Sequence, residues 1–223
     1  IKPISTEKSH LNYFFPSLIS LILMFIAILL GSSLVMMEKT SRAHFRNFIS
    51  PTNNITFFFS TYLTCIIIIS LQLILLFTIS LSIFKIPIII FSSNFLSIII
   101  ISLIIATLFT LVGMVIGYLF KSRETATLGA ISISSVFFII SDLILPIESM
   151  PSNLLFLAKL NPFMVGNTLL RNVILFDKSL FSLGNHLYLL LFYILLLLMI
   201  SAFIIGFLTK KHFSKIQFKL RKK

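Results

Sequence analysis

Catalysis needs ionisable or nucleophilic side chains held close together, and this sequence offers few of them. Its four histidines, His10, His44, His186 and His212, are far apart. No HExxH, no clustered acids and no nucleophile–base pair occurs, so neither a catalytic site nor a metal centre is expected. The seven glycines form no GxxxxGK[ST] run, so the chain is not expected to hydrolyse ATP through a P-loop. A single cysteine, Cys65, excludes an internal disulfide framework and a multi-cysteine metal site. Charge stands out in two places. One is MEKTSRAHFRNFISP (37–51), where a Glu, three basic residues and a His sit between two long apolar runs. The other is Asp142, the one acid inside an apolar run.

The elements that would position these residues follow from composition. The 223 residues are 58% hydrophobic and only 11% charged, with a mean hydropathy of +1.10. Soluble domains carry about 25% charged residues, so the chain reads as a membrane protein. Its net charge of +12 would suit nucleic acid. However, the cations lie in short runs between apolar stretches rather than on one basic face, and nucleic-acid binding is set aside. The first fifteen residues are not a signal peptide, having neither a charged-then-apolar start nor a small-residue cleavage site.

A hydrocarbon core about 30 Å thick takes roughly 20 apolar residues of helix. Five runs qualify: 16–37, 57–84, 95–120, 126–145 and 186–208. All are predicted helical, because a lone strand leaves backbone groups unpaired in lipid. Twelve of the eighteen Lys and Arg fall in 38–56, 121–125 and 209–223, which assigns those segments to the cytoplasm. The reading is then an external N-terminal segment (1–15), a transmembrane domain (16–208) and a basic cytoplasmic tail (209–223). An external N-terminus beginning at Ile1 suggests a preceding span, giving six in the full subunit; a complete five-span protein is the alternative.

Residues 38–50 are read as a short helix. Phe45, Phe48 and Ile49 share one face, Lys39, Arg42 and Arg46 another, and Pro51 ends it. Spacing alone leaves two roles open: an anchor lying on the headgroups, or a helix that docks a cytoplasmic partner.

Two regions together resemble a known family. Glu38-Lys39, with Pro51 thirteen residues after the Glu, is similar to the E-[KR]-x-x-G-T…P segment of type-2 ABC transporter permeases, although Arg42 and Ala43 replace its Gly and Thr. In SRETATLGAISISSVFFIISDLILPIESMPSNLLFLAKLNP (122–162), Ser122, Glu124, Ala126, Ser141, Pro146, Glu148, Met150, Pro151, Asn161 and Pro162 match that family's pattern, with Asp142 in place of its Gly. The resemblance covers nearly all of the chain. It implies that the helix at 38–50, with Pro51 ending it, is a coupling helix contacting a separate P-loop ATPase through Glu38, Lys39, Arg42, Phe45, Arg46, Phe48 and Pro51. It also implies re-entrant external helices before the last span, reached through a turn containing Asp142, Pro146, Glu148, Pro151 and Pro162. ATP and Mg would be bound by the partner, with no cofactor on this chain, and two permease copies or homologues would pair. An ordinary amphipathic surface loop is the other reading of 146–185, whose apolar pieces are too short to span.

Asp142 is predicted to need no partner charge. The eleven Leu, Ile, Val and Phe of 126–145 supply roughly −3 to −6 kcal/mol, against at most roughly +3.5 for a central Asp. Gln72 at mid-span is expected to bond another helix, and Gly113 and Gly117 form a GxxxG that permits close helix packing. The expected protein is therefore an all-α, multi-pass permease subunit of an ABC exporter in a plasma membrane. Heavy Ile, Phe, Lys and Asn usage hints at a prokaryote. An ATP-independent transporter or channel is the competing class; it would want several intramembrane charges or mid-depth helix breaks.

Overall fold

The computed structural model of the chain describes residues 10–41, 54–83, 93–144, 149–176, 178 and 183–220; side chains are described over 14–41, 55–79, 95–144, 149–176, 178 and 183–206. Every regular element among them is helical: α1 (His10–Thr40), α2 (Asn54–Ile83), α3 (Ser93–Leu119), α4 (Arg123–Ile139), α5 (Ser152–Leu160), α6 (Pro162–Phe176) and α7 (Gly184–Leu220). Four contain stretches long and apolar enough to cross a membrane: Phe14–Thr40, Ile55–Ile79, Phe95–Leu119 and Gly184–Gly206. In hydrocarbon a helix alone satisfies its own backbone, so these Ile- and Leu-rich stretches have no other stable form. The first begins earlier than expected, since α1 runs through Pro16. Membrane helices tolerate an interior proline because neighbours can satisfy the carbonyl it leaves free.

The expected span at 126–145 ends six residues early. α4 has 17 residues, about 25 Å of helix, and gives way to a turn at 140–144. The cause lies far along the chain. Asn161 Nδ2 donates to the carbonyls of Phe137 (2.7 Å) and Ile140 (2.9 Å), satisfying groups that another helical turn would have used. Ser141 helps locally: its hydroxyl donates to the Phe138 carbonyl at 2.6 Å and accepts from the Leu143 N–H at 3.3 Å. At its other end α4 is capped by Ser122 Oγ, which accepts from the Thr125 N–H at 3.3 Å. Of the five expected spans, four thus reach spanning length among the described residues, and α4 falls short of it.

α1 and α3 make the central contact. Half of α1's spanning window and 56% of α3's is buried, against 22% for α2 and 11% for α7. Their glycines explain how closely they meet. A Cβ on Gly31 would lie 2.7 Å from the Thr110 carbonyl oxygen, and one on Gly113 would overlap the backbone of Ile28. Gly117 lies against Ser32 and Val35. Position numbers rise together along both helices, so the pair is parallel. The GxxxG at 113–117 therefore faces α1 of the same chain. Around this pair Ile19, Met24, Ile28, Ile101, Ile105, Leu108 and Phe109 are at most 1% exposed. Phe137 of α4 packs tilted against Phe109 with ring centroids 6.1 Å apart.

α6 is also buried, with Phe163, Gly166, Asn167, Leu169, Leu170 and Val173 facing inward. It packs on α1 and α3, with Gly166 against Ile105. α5 is more peripheral, exposing Phe156, Leu157 and Leu160. Asn161 joins the two short helices. Besides closing α4, it accepts from the Phe163 N–H at 3.0 Å and so caps α6, whose first residue is Pro162.

Adding a methyl group at the α1–α3 contact tests this packing. Gly113→Ala is expected to lower stability by about 1–3 kcal/mol, because the Ile28 backbone cannot move aside as a flexible side chain would. Reversible unfolding in mild detergent measures the change, with the open Gly206 position changed to Ala as a control.

Candidate functional site

Polar side chains gather at the two ends of the α1–α3 pair. At one end, α1 finishes in Glu38-Lys39-Thr40, so Glu38 and Lys39 belong to its last turn rather than to a separate helix. Lys39 Nζ donates to the carbonyls of Gly117 (3.0 Å), Tyr118 (3.1 Å) and Phe120 (2.8 Å). These belong to the last turn of α3 and the residue after it, where carbonyls lack intrahelical partners and the helix dipole favours a cation. All three ammonium protons are thereby used. Glu38 turns to α2: its Oε2 lies 2.5 Å from Thr61 Oγ1, which is also 3.0 Å from the Phe57 carbonyl. Thr40 and Ser41 close the end of α1 by donating to the carbonyls of Met36 (2.8 Å) and Glu38 (2.9 Å). The remaining residues expected in the coupling segment, Arg42, Phe45, Arg46, Phe48 and Pro51, lie outside the described residues.

At the opposite end the structure corrects the reading of Asp142. Its side chain is only 5% exposed and is paired, with Oδ2 3.0 Å from Arg171 Nη2. Asn167 Nδ2 donates to Oδ1 of the same carboxylate at 3.1 Å, and Arg171 Nη2 reaches Ser17 Oγ of α1 at 3.3 Å. The helix ends before Asp142, and the turn swings the carboxylate onto α6 instead of leaving it on a helix near headgroup water. Asp142 follows α4, Asn167 and Arg171 lie on α6, and Ser17 lies on α1, so one ion pair ties three elements. Pro151 precedes α5 and Pro162 opens α6, whereas Pro146 and Glu148 lie outside the described residues.

Thr61 and the α3 carbonyls, the partners of Glu38 and Lys39, and the Asp142 partners Asn167, Arg171 and Ser17, went unread in the sequence. One signal was available. Asn167 and Arg171 are four residues apart, hence on one face of a largely apolar helix, and such a pair asks for a buried polar partner. Gln72 sits half-buried on α2, and its expected bond to another helix is not among the hydrogen bonds of the described residues. No group of three or more His, Cys, Asp or Glu side chains able to hold a metal ion occurs among the described residues.

These features define a helical membrane protein whose polar interactions brace both ends of a tightly packed helix pair. Residues 1–203 match the family described as ABC-2 family transporter protein, and the chain belongs to that family. No curated protein and no solved structure matches it.

The ion pair can be tested by comparing a half-broken pair with a fully apolar replacement. Replacing Arg171 with Met alone leaves a buried carboxylate without its cation and should cost about 3–5 kcal/mol. Asp142→Leu combined with Arg171→Met should recover most of that loss, since an apolar pair of similar size carries no desolvation penalty. Unfolding of the three proteins in detergent provides the comparison.

Proposed function

We propose that this chain is the membrane-spanning permease subunit of an ABC exporter. It moves a substrate out of the cytoplasm while a separate P-loop subunit binds Mg and hydrolyses ATP. The observation that carries this reading is family membership over residues 1–203. The Lys and Arg distribution supports a cytoplasmic position for the Glu38–Lys39 end and the C-terminal tail. A prokaryotic plasma membrane is the proposed location, and a second copy or homologue completes the pathway.

The geometry supports a physical route for coupling. The segment after Ser41, holding Arg42, Phe45, Arg46 and Phe48, would be gripped by the ATPase. A push there reaches α3 through Lys39 and α2 through Glu38. Because backbone contacts lock α1 to α3, the two would move as one body rather than bend. Ser17 lies 22 residues before Lys39, about 33 Å of helix, so the same body carries the contact to Arg171. α5 and α6 would act as the re-entrant external closure, and parting of Arg171 from Asp142 or Ser17 would accompany its opening. The competing ATP-independent transporter gains nothing from this arrangement. The described ion pair lies at one end of the bundle, whereas ion-coupled sites sit at mid-depth.

Affinity purification of the full-length subunit in mild detergent tests the reading. A stoichiometric P-loop ATPase should accompany it. Arg46→Glu should weaken that association about tenfold or more, since disrupting a close interfacial charge contact costs about 2 kcal/mol or above. Membrane insertion should be unchanged. A subunit that purifies alone and transports without ATP would overturn the proposal.

A further inference from the structure

Away from the Glu38–Lys39 end, α1 and α2 leave a groove of about 340 Å³ between them. Phe15, Ile19 and Ile22 line it from α1, and Gln72, Leu76 and Ile79 from α2. It occupies the half of the bundle nearer Asp142, because Thr61 meets Glu38 at the far end and α2 runs from there past Gln72 to Ile83. Gln72 lies seven residues, about 10 Å of helix, inside the Ile79 end of the spanning stretch Ile55–Ile79, so its amide stays within the hydrocarbon depth. The groove opens sideways to lipid, where Leu18 and Leu75 are 48% and 59% exposed.

The amide decides what the groove is suited to hold. All the other lining residues are Phe, Leu or Ile, and Gln72 has no hydrogen-bond partner among the described residues. Plain acyl chains would fill the space but leave a polar amide unpaired in hydrocarbon, which is costly. A helix of a second copy, about 10 Å across with its side chains, is too thick to enter. The volume lies at the small end of ligand pockets.

We propose that this groove binds one slender lipophilic molecule: a hydrocarbon chain carrying a single hydrogen-bonding oxygen, as in a long-chain alcohol or ketone. The chain lies against Phe15, Ile19, Leu76 and Ile79, and the oxygen meets the Gln72 amide at the groove's deep end. The oxygen and the amide would each be unpaired in lipid, and each satisfies the other. The site requires only that α1 and α2 stand in a bilayer, so it is independent of the ATP-driven reading.

The test is photolabelling of the full chain in lipid nanodiscs with a diazirine-bearing long-chain alcohol and, separately, its alkane counterpart. Labelled peptides are mapped by mass spectrometry. The alcohol should label the α1 and α2 groove walls well above the lipid-facing surface of α7. Gln72→Leu should cut that labelling about five- to tenfold, the worth of one hydrogen bond. The alkane should label wild type and variant alike. Leu76→Trp, which fills the groove while keeping Gln72, should abolish alcohol labelling. Equal alcohol labelling of wild type and Gln72→Leu would overturn the proposal, as would labelling no stronger than at α7. Efficient disulfide formation between two copies carrying Leu75→Cys would overturn it too, by showing that a second copy covers the groove.

Discussion

The structure depends on the backbone contact between α1 and α3. In lipid two apolar helices gain no hydrophobic advantage by meeting, so close approach must come from shape. Gly31, Gly113 and Gly117 provide that shape by leaving no side chain between the helices. The parallel alignment then fixes what each end can reach. At one end, Lys39 arrives over the last turn of α3. Towards the other, Ser17 comes within reach of Arg171. α4 and α6 pack on the pair and α7 packs along α3, while α2 and α7 keep most of their spanning stretches exposed.

The charged groups at the two ends are handled differently. Lys39 is matched to carbonyls and a helix dipole, an arrangement that needs no second buried charge. Asp142 is matched to a cation on another element, and pairs of this kind contribute little net stability but are costly to leave half-broken. Such a pair favours two states, fully joined or fully separated and hydrated, over anything between. That property suits a closure that must open as a unit when the helix pair moves.

Much of this was legible in the sequence where the information was local. Runs of about 20 apolar residues announced α1, α2, α3 and α7, and the apolar pieces within 146–185 were too short to announce a further span. Family membership was legible from the Glu38-Lys39 and 122–162 motifs. Local pattern failed where a distant partner decided the outcome. The apolar run to residue 145 predicts a longer α4, but Asn161, more than twenty residues on, takes the carbonyls that would have continued it. Insertion energetics allowed a solitary Asp142, and nothing near it in sequence indicated that a turn would carry it to Arg171. Lys39 has the composition of an exposed, partner-facing cation, yet its ammonium is spent on residues 78 to 81 positions away.

The central claim is that α1 and α3 move as one body while the Asp142 end opens. Spin-label distances in the assembled transporter test it most directly, with Cys65 first replaced by Ser. One pair of labels would stand at Met37 and Leu119, exposed positions near the ends of α1 and α3, and a second at Ile144 and Phe176, exposed positions flanking the ion pair. On passing from the nucleotide-free to the ATP-bound state, the first distance should hold and the second should change. Separation of Met37 from Leu119 with the second distance unchanged would contradict the account, because the helix pair would then be flexing at the coupling end without transmitting motion along its length.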